Sequence, residues 1–189
     1  MKVCVYAICK NESQFVDRFM DSMSEADYVC VLDTGSSDDT VKKLRARGAI
    51  VGETVVSPWR FDTARNESLG LIPADADICC AIDLDEQFHP GWRAALERAW
   101  QPDTTRARYR YTWSFRPDGS EGMVFWADKI HKNGCYRWAS PVHETLAYTG
   151  EGAERFVDAA GVQLDHHPDE TKSRGQYLPP VSYTHLRAH

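Results

Sequence analysis

This sequence predicts an α/β fold on a mostly parallel sheet, with helices on both faces and a short antiparallel part toward the C-terminus. Three observations predict it. The strand-like runs of the first hundred residues are continuously apolar rather than alternating, as when both faces of a sheet are covered. Stretches with helical spacing fill the gaps between them. Polar clusters follow directly where the strands end, where open parallel sheets bind their ligands. With 189 residues, 42% hydrophobic and 11% aromatic, the chain can bury the core of one domain.

Taken in order, the first strand is read at Val3 to Cys9. A helix over Glu12 to Met23 then lines up Phe15, Val16, Phe19, Met20 and Met23 on one stripe. Tyr28 to Leu32 is the second strand. The helix from Asp38 to Arg47 opens on Ser and Asp cap residues and stops at Gly48. Ile50 to Val56 is the third strand, Thr63 to Ile72 a helix, Ile78 to Ile82 the fourth strand, and Pro90 to Trp100 a helix with proline at its start. Alternation of this kind implies right-handed crossovers. From Arg106 the pattern changes, and "RARYRYTWSF" and "GMVFWADKIHKN" read as antiparallel strands around the turn "PDGSEG".

A net charge of −6 argues against general affinity for nucleic acid or anionic membrane. Six cysteines sit mostly in apolar runs without a zinc-type or redox-type pair, so they read as reduced core thiols. The first strand begins within two residues of Met1, leaving no room for a signal peptide, and no apolar run is long enough to span a bilayer, which favours the cytoplasm. The ending "VSYTHLRAH", residues 181–189, resembles an assembly artefact found at the ends of unrelated sequences. It is read as a non-native tail on a truncated chain.

Four polar clusters should share one rim: "KNES" after the first strand, "DTGSSDD" after the second, "PWRFDTARN" after the third and "DLDE" after the fourth. Each alone also reads as a solvated loop or helix cap. Asp83 and Asp85, two apart where a strand leaves the sheet, can point to one side and suit Mg²⁺ or Mn²⁺ shared with a diphosphate. D-T-G-S is also an aspartic peptidase signature, but no second copy exists and a helix pattern follows. "DLDE" differs from the dehalogenase-type phosphatase motif in having Gln87 where Thr or Val should stand.

Together, "AICKNES", "VLDTGSSDDT", "FDTARNESL" and "AIDLDEQF" resemble the GT-A glycosyltransferases of the family 2-like group, over Val3 to about His167. The resemblance implies a nucleotide-binding half over residues 1–100 and an acceptor half over 101–180. It further implies Mn²⁺ or Mg²⁺, a nucleoside-diphosphate sugar donor and a glycan, peptide or lipid-linked acceptor. By it, Ala7 and Glu12 line the nucleotide pocket, Asn11 and Asn66 count among the substrate-binding residues, and Lys10 with Arg65 supplies positive charge for the leaving diphosphate. Asp33 contacts the base, Arg65 the base or diphosphate, Asp83 the ribose and metal, and Asp85 the metal. Thr34 departs from the pattern, which commonly has a second aspartate there. "WASPVHETL" is similar to the V-H-E element of a subgroup often followed by tetratricopeptide repeats.

An acceptor hydroxyl needs a base on the far face of the sugar for an inverting displacement, and Glu144 is the first candidate, with Asp128 and Asp165 next. His166, at the end of a strand-like run, is preferred to His143 as a further metal ligand. Trp138 is the expected stacking platform, with Trp113 and Trp126 expected in the core. Two other readings stand beside transfer: a sugar-nucleotide nucleotidyltransferase, which would need a glycine-rich basic loop after the first strand, and a non-catalytic nucleotide or carbohydrate binder.

Overall fold

A computed structural model describes residues 1–169; the expected tail at 181–189 and the end of the 101–180 half lie outside the described residues. Its elements run β1 (Val3–Cys9), α1 (Val16–Ser22), β2 (Tyr28–Asp33), α2 (Thr40–Ala46), β3 (Ile50–Glu53), α3 (Phe61–Leu69), β4 (Ile78–Ala81), β5 (Glu86–Phe88) and α4 (Trp92–Ala99). They continue with β6 (Arg106–Thr112), β7 (Val124–Lys132), β8 (Tyr136–Ala139), β9 (Thr145–Tyr148) and β10 (Phe156–His166). The first four expected strands are present, parallel, and adjacent in the order β3-β2-β1-β4.

The expected antiparallel part is present: β6 and β7 pair antiparallel. They extend the same sheet, giving β3-β2-β1-β4-β7-β6-β10-β5, with four of seven neighbouring pairs parallel. Among the described residues β8 and β9 form a separate antiparallel pair. β5 was legible only as a polar loop, because a three-residue strand carries too little pattern and exists by pairing with β10.

Two cores flank the sheet. On one face α1, α2 and α4 bury Val16, Phe19, Met20, Leu44, Trp92 and Leu96 against Val5, Ile78 and Leu164. On the other, α3 and the β8–β9 hairpin cover Cys4, Tyr6, Cys30 and Cys79, so these thiols are free and buried as expected. A chain of polar contacts crosses this second core: Trp138 Nε1–H donates to the Tyr6 hydroxyl (3.0 Å), whose own proton goes to His131 Nε2 (2.8 Å). His131 Nδ1–H then donates to the Lys132 carbonyl (3.0 Å). Burial pushes the His131 imidazole down to about 4, so it is neutral there. Among the described residues no helix is long and apolar enough to cross a membrane.

Helix starts shift for a local reason. Asn11 has φ 55° and the Glu12 and Ser13 amides donate to Thr40 Oγ1 (2.8 Å) and Asp38 Oδ2 (3.2 Å). Side chains of the next rim loop thus take donors that a helix beginning at Glu12 would have left open, and regular helix begins at Val16. β3 is likewise shorter than its apolar run. Its pairing with β2 ends at Asp33 and Glu53, which releases Thr54 to Arg60 to build a wall over the rim.

Candidate functional site

The four polar clusters do meet. Beyond the carboxyl ends of β1 to β4 lies a cleft of about 590 Å³ lined by Lys10 and Glu12, Thr34, Val55 to Phe61 in part, Arg65, Asp83 and Asp85. Trp59 meets Phe61 edge-on (5.1 Å) and stands 43% exposed in the wall released from β3. Sequence reasoning placed Val55 and Val56 in a strand; the only signal for the wall was the "SPWR" stretch that follows.

Arg65 organises the floor. α3 carries it under the cleft, 3% exposed, where Nη2 donates to both oxygens of Asp83 (2.8 and 3.1 Å) and Nε to Glu144 Oε1 (2.8 Å). Its plane lies over Trp138, 5.0 Å from the ring centroid. Burial works against its charge, but Asp83 and Glu144 raise its pKa and keep it ionised. Burial likewise opposes ionisation of Asp83, yet Arg65 and Lys129 hold that carboxyl below its usual range. One donor is left over: Arg65 Nη1 is buried with no hydrogen-bond partner. An unmet charged donor of this kind is costly and suits an anionic or carbonyl oxygen from a ligand.

Asp85, in the same cleft, pairs with a different partner. Its Oδ2 lies 3.2 Å from His166 Nε2, while His166 Nδ1 is 3.0 Å from the Trp113 carbonyl. Carbonyl and carboxylate both only accept, so Nδ1–H donates to Trp113 and Nε2–H to Asp85; only when Nε2 gives up its proton does it offer the lone pair a metal needs. Burial lowers the His166 pKa, but the Asp85 and Trp113 hydrogen bonds outweigh it and raise the value. A carboxylate and an imidazole side by side fit Mg²⁺ or Mn²⁺, ions that complete their shell with substrate oxygens and water. Among the described residues no group of three or more His, Cys, Asp or Glu is placed to hold an ion. His143 is exposed, with φ 56° in the loop before β9.

Several expected site residues act inward instead. Asp33 is 1% exposed, and its carboxylate accepts from the Gly35 and Ser36 amides (2.9 and 2.8 Å) and the Ser36 hydroxyl. It shapes the second rim loop, and Thr34 lines the cleft in its place. Ala7 is fully buried in β1, and Ile8 and Cys9 line the cleft. Asn66 clamps β8 in both directions, Nδ2–H to the Trp138 carbonyl (2.8 Å) and the Trp138 amide to Oδ1 (2.9 Å). Asn11 Oδ1 accepts from the Ser37 amide (2.7 Å), joining the first two rim loops.

The tryptophans exchange places. Trp138 is 2% exposed because its N–H has Tyr6 and its ring has Arg65, so it is no platform. Trp113 and Trp126 are 40% and 53% exposed. Glu86, the third carboxylate of "DLDE", points into the core. It accepts from the Tyr111 hydroxyl and the Asp83 amide (2.8 Å), and burial with the charge of Asp83 pushes it up to about 7. Asp128 and Asp165 are engaged by Arg106 (3.0 Å) and His89 (2.7 Å).

No known family profile matches the chain. Among solved structures it is similar to glucosyl-3-phosphoglycerate synthase from Mycobacterium tuberculosis in complex with Mn²⁺, UDP and glucosyl-3-phosphoglycerate. Identity is 24% over 58% of this chain and 44% of that one, with a TM-score of 0.46. The complex of that enzyme with Mn²⁺, UDP and phosphoglyceric acid gives 26% over 58% and 43%, with a TM-score of 0.48. TarS of S. aureus gives 18% over 65% and 23%, with a TM-score of 0.47. The chain therefore spans less than half the length of these proteins.

Proposed function

We propose that this chain is the nucleotide-binding and catalytic part of a metal-dependent GT-A glycosyltransferase, which moves a sugar from a nucleoside-diphosphate sugar to an acceptor hydroxyl in a single inverting displacement. The observation that carries the reading is the buried, unpartnered Nη1 of Arg65 beneath a rim cleft that also gathers Asp83, Asp85 and Lys10. The nucleoside lies between the rim loops and the Trp59–Phe61 wall, with Asp83 toward the ribose. Asp85 and His166 would hold Mn²⁺ or Mg²⁺, which would neutralise charge developing on the leaving diphosphate. Arg65 and Lys10 add positive charge on the protein side.

Glu144 takes the proton of the acceptor hydroxyl. In the observed arrangement it is ion-paired with Arg65 and largely buried, so it must exchange that contact for the acceptor. A second role has this same contact in its favour: Glu144 orients Arg65 and the base lies elsewhere.

UDP, the nucleotide named with the mycobacterial enzyme, serves as the probe. Calorimetric titration should show UDP binding that strengthens with Mn²⁺ in the wild type and loses that dependence in Asp85→Ala, with thermal unfolding unchanged because Asp85 is a rim residue. Equal UDP affinity with and without Mn²⁺ in the wild type would count decisively against the reading.

A further inference from the structure

The end of β10 brings two successive histidines to the rim, and each lies against an aromatic ring from the chain that continues β6. Trp113 stacks on His166 with centroids 4.5 Å apart and planes at 22°; Phe115 stacks on His167 at 5.0 Å and 6°. Hydrogen bonds tie the same two histidines to the site. The Trp113 carbonyl receives His166 Nδ1–H at 3.0 Å, and the His167 amide donates to the Asp85 carbonyl at 2.8 Å. Trp113 keeps this position although 40% of it meets water, so burial in a core is not what holds it there.

We propose that Trp113 is the positioning residue of the Asp85–His166 pair. Its carbonyl fixes which imidazole nitrogen carries the proton, and its ring fixes the plane in which Nε2 points at Asp85. The inference rests on the reading of that pair as ligands of a divalent ion. Imidazoles that bind metals are held this way in general, by an acceptor on the second ring nitrogen, and loss of such outer support weakens metal binding by roughly 10- to 100-fold. Replacing the side chain leaves the backbone carbonyl in place and removes only the flat surface. With only the Nδ1–H bond to the carbonyl left, the imidazole turns more freely about its Cβ–Cγ bond, and Nε2 is held less firmly beside Asp85 Oδ2. Phe115 acts one step further out, on His167, whose amide steadies the loop that carries Asp85.

The test is Mn²⁺ affinity of the full chain in the presence of UDP, by calorimetry and by the free-Mn²⁺ electron paramagnetic resonance signal. Wild type, Trp113→Phe, Trp113→Leu, His166→Ala and the double variant Trp113→Leu/His166→Ala are compared. Trp113→Leu, which keeps apolar bulk without a flat face, should weaken Mn²⁺ binding on the order of 10-fold. Trp113→Phe should restore most of it, and UDP binding without metal should be unchanged in both. The double variant should bind Mn²⁺ as His166→Ala does, because the tryptophan acts through the histidine. Thermal unfolding of each variant separates misfolding from weakened binding, and the Phe variant keeps the test open if Leu unfolds the chain. Wild-type Mn²⁺ affinity in Trp113→Leu, or a Trp113 effect undiminished in the His166→Ala background, overturns the inference alone. Absence of Mn²⁺ binding to the wild type overturns it together with the proposed function.

Discussion

Acidification should cost this protein stability through one buried ring, His131. The imidazole is neutral because Tyr6 O–H donates to Nε2 while Nδ1–H donates to the Lys132 carbonyl, and Trp138 Nε1–H occupies the Tyr6 oxygen from the other side. A second proton on the ring would set two donors against each other in a site that is 1% exposed. Burial holds the folded value near about 4 against an ordinary 6.5. Between those two values the unfolded chain binds a proton that the folded chain refuses. Stability is therefore fully present above 6.5 and falls as pH drops toward 4. The difference of 6.5 and about 4 corresponds to a full loss of about 3 kcal/mol, most of it spent by about pH 4.5.

Urea unfolding of wild type and His131→Gln at pH values from about 7 to about 4.5 reads this directly. Glutamine can accept from Tyr6 through Oε1 and donate through Nε2, yet it does not titrate. Carboxylate contributions are shared by both proteins, so the difference in their pH dependence isolates the histidine. The wild type should lose roughly 2 kcal/mol more than the variant over that range, about 1 M in urea midpoint at a typical slope. Parallel pH profiles would refute the assignment of a neutral, proton-accepting His131.

Two further outcomes follow from the site and the core. Glu144→Gln, which keeps an oxygen that can accept from Arg65 Nε, should leave UDP–Mn²⁺ affinity nearly unchanged while lowering turnover with the true acceptor about 10²-fold or more; unchanged turnover assigns Glu144 to orienting Arg65 instead. Trp92→Ala removes a ring 1% exposed and stacked on Phe88 at 4.4 Å, so equilibrium unfolding should show a loss of about 3–5 kcal/mol, and a loss below about 1 kcal/mol would contradict the core described for α4.

Sequence alone determined that β1 to β4 are parallel and that the polar loops after them converge at one rim. Both rest on local signals: continuous apolar runs, helical spacing between them, and a handedness rule for the crossovers; that β4 lies on the far side of β1 from β2 was decided by the tertiary structure. Once β1 to β4 are parallel, the loops carrying Asn11, Asp33, Arg65 and Asp83 have to share one rim; Arg65 and Asp83 line the cleft there, while Lys10 and Thr34 line it in place of Asn11 and Asp33. Tertiary structure decided which of those side chains look outward. Asp33 turned inward because its own loop offered two amides and a hydroxyl, and Asn66 because the β8 backbone offered a matching donor and acceptor. The tryptophans make the same point. Trp138 was buried by a hydroxyl 132 residues away and a guanidinium 73 away, while Trp113 was left at the surface, stacked on a histidine 53 positions later. Whether a side chain faces a ligand or the core is set by such distant partners, and a local pattern carries no record of them. The joining of β6, β7, β10 and β5 to the main sheet belongs with these, since a strand's residues advertise its pleat but not the neighbour it will pair with.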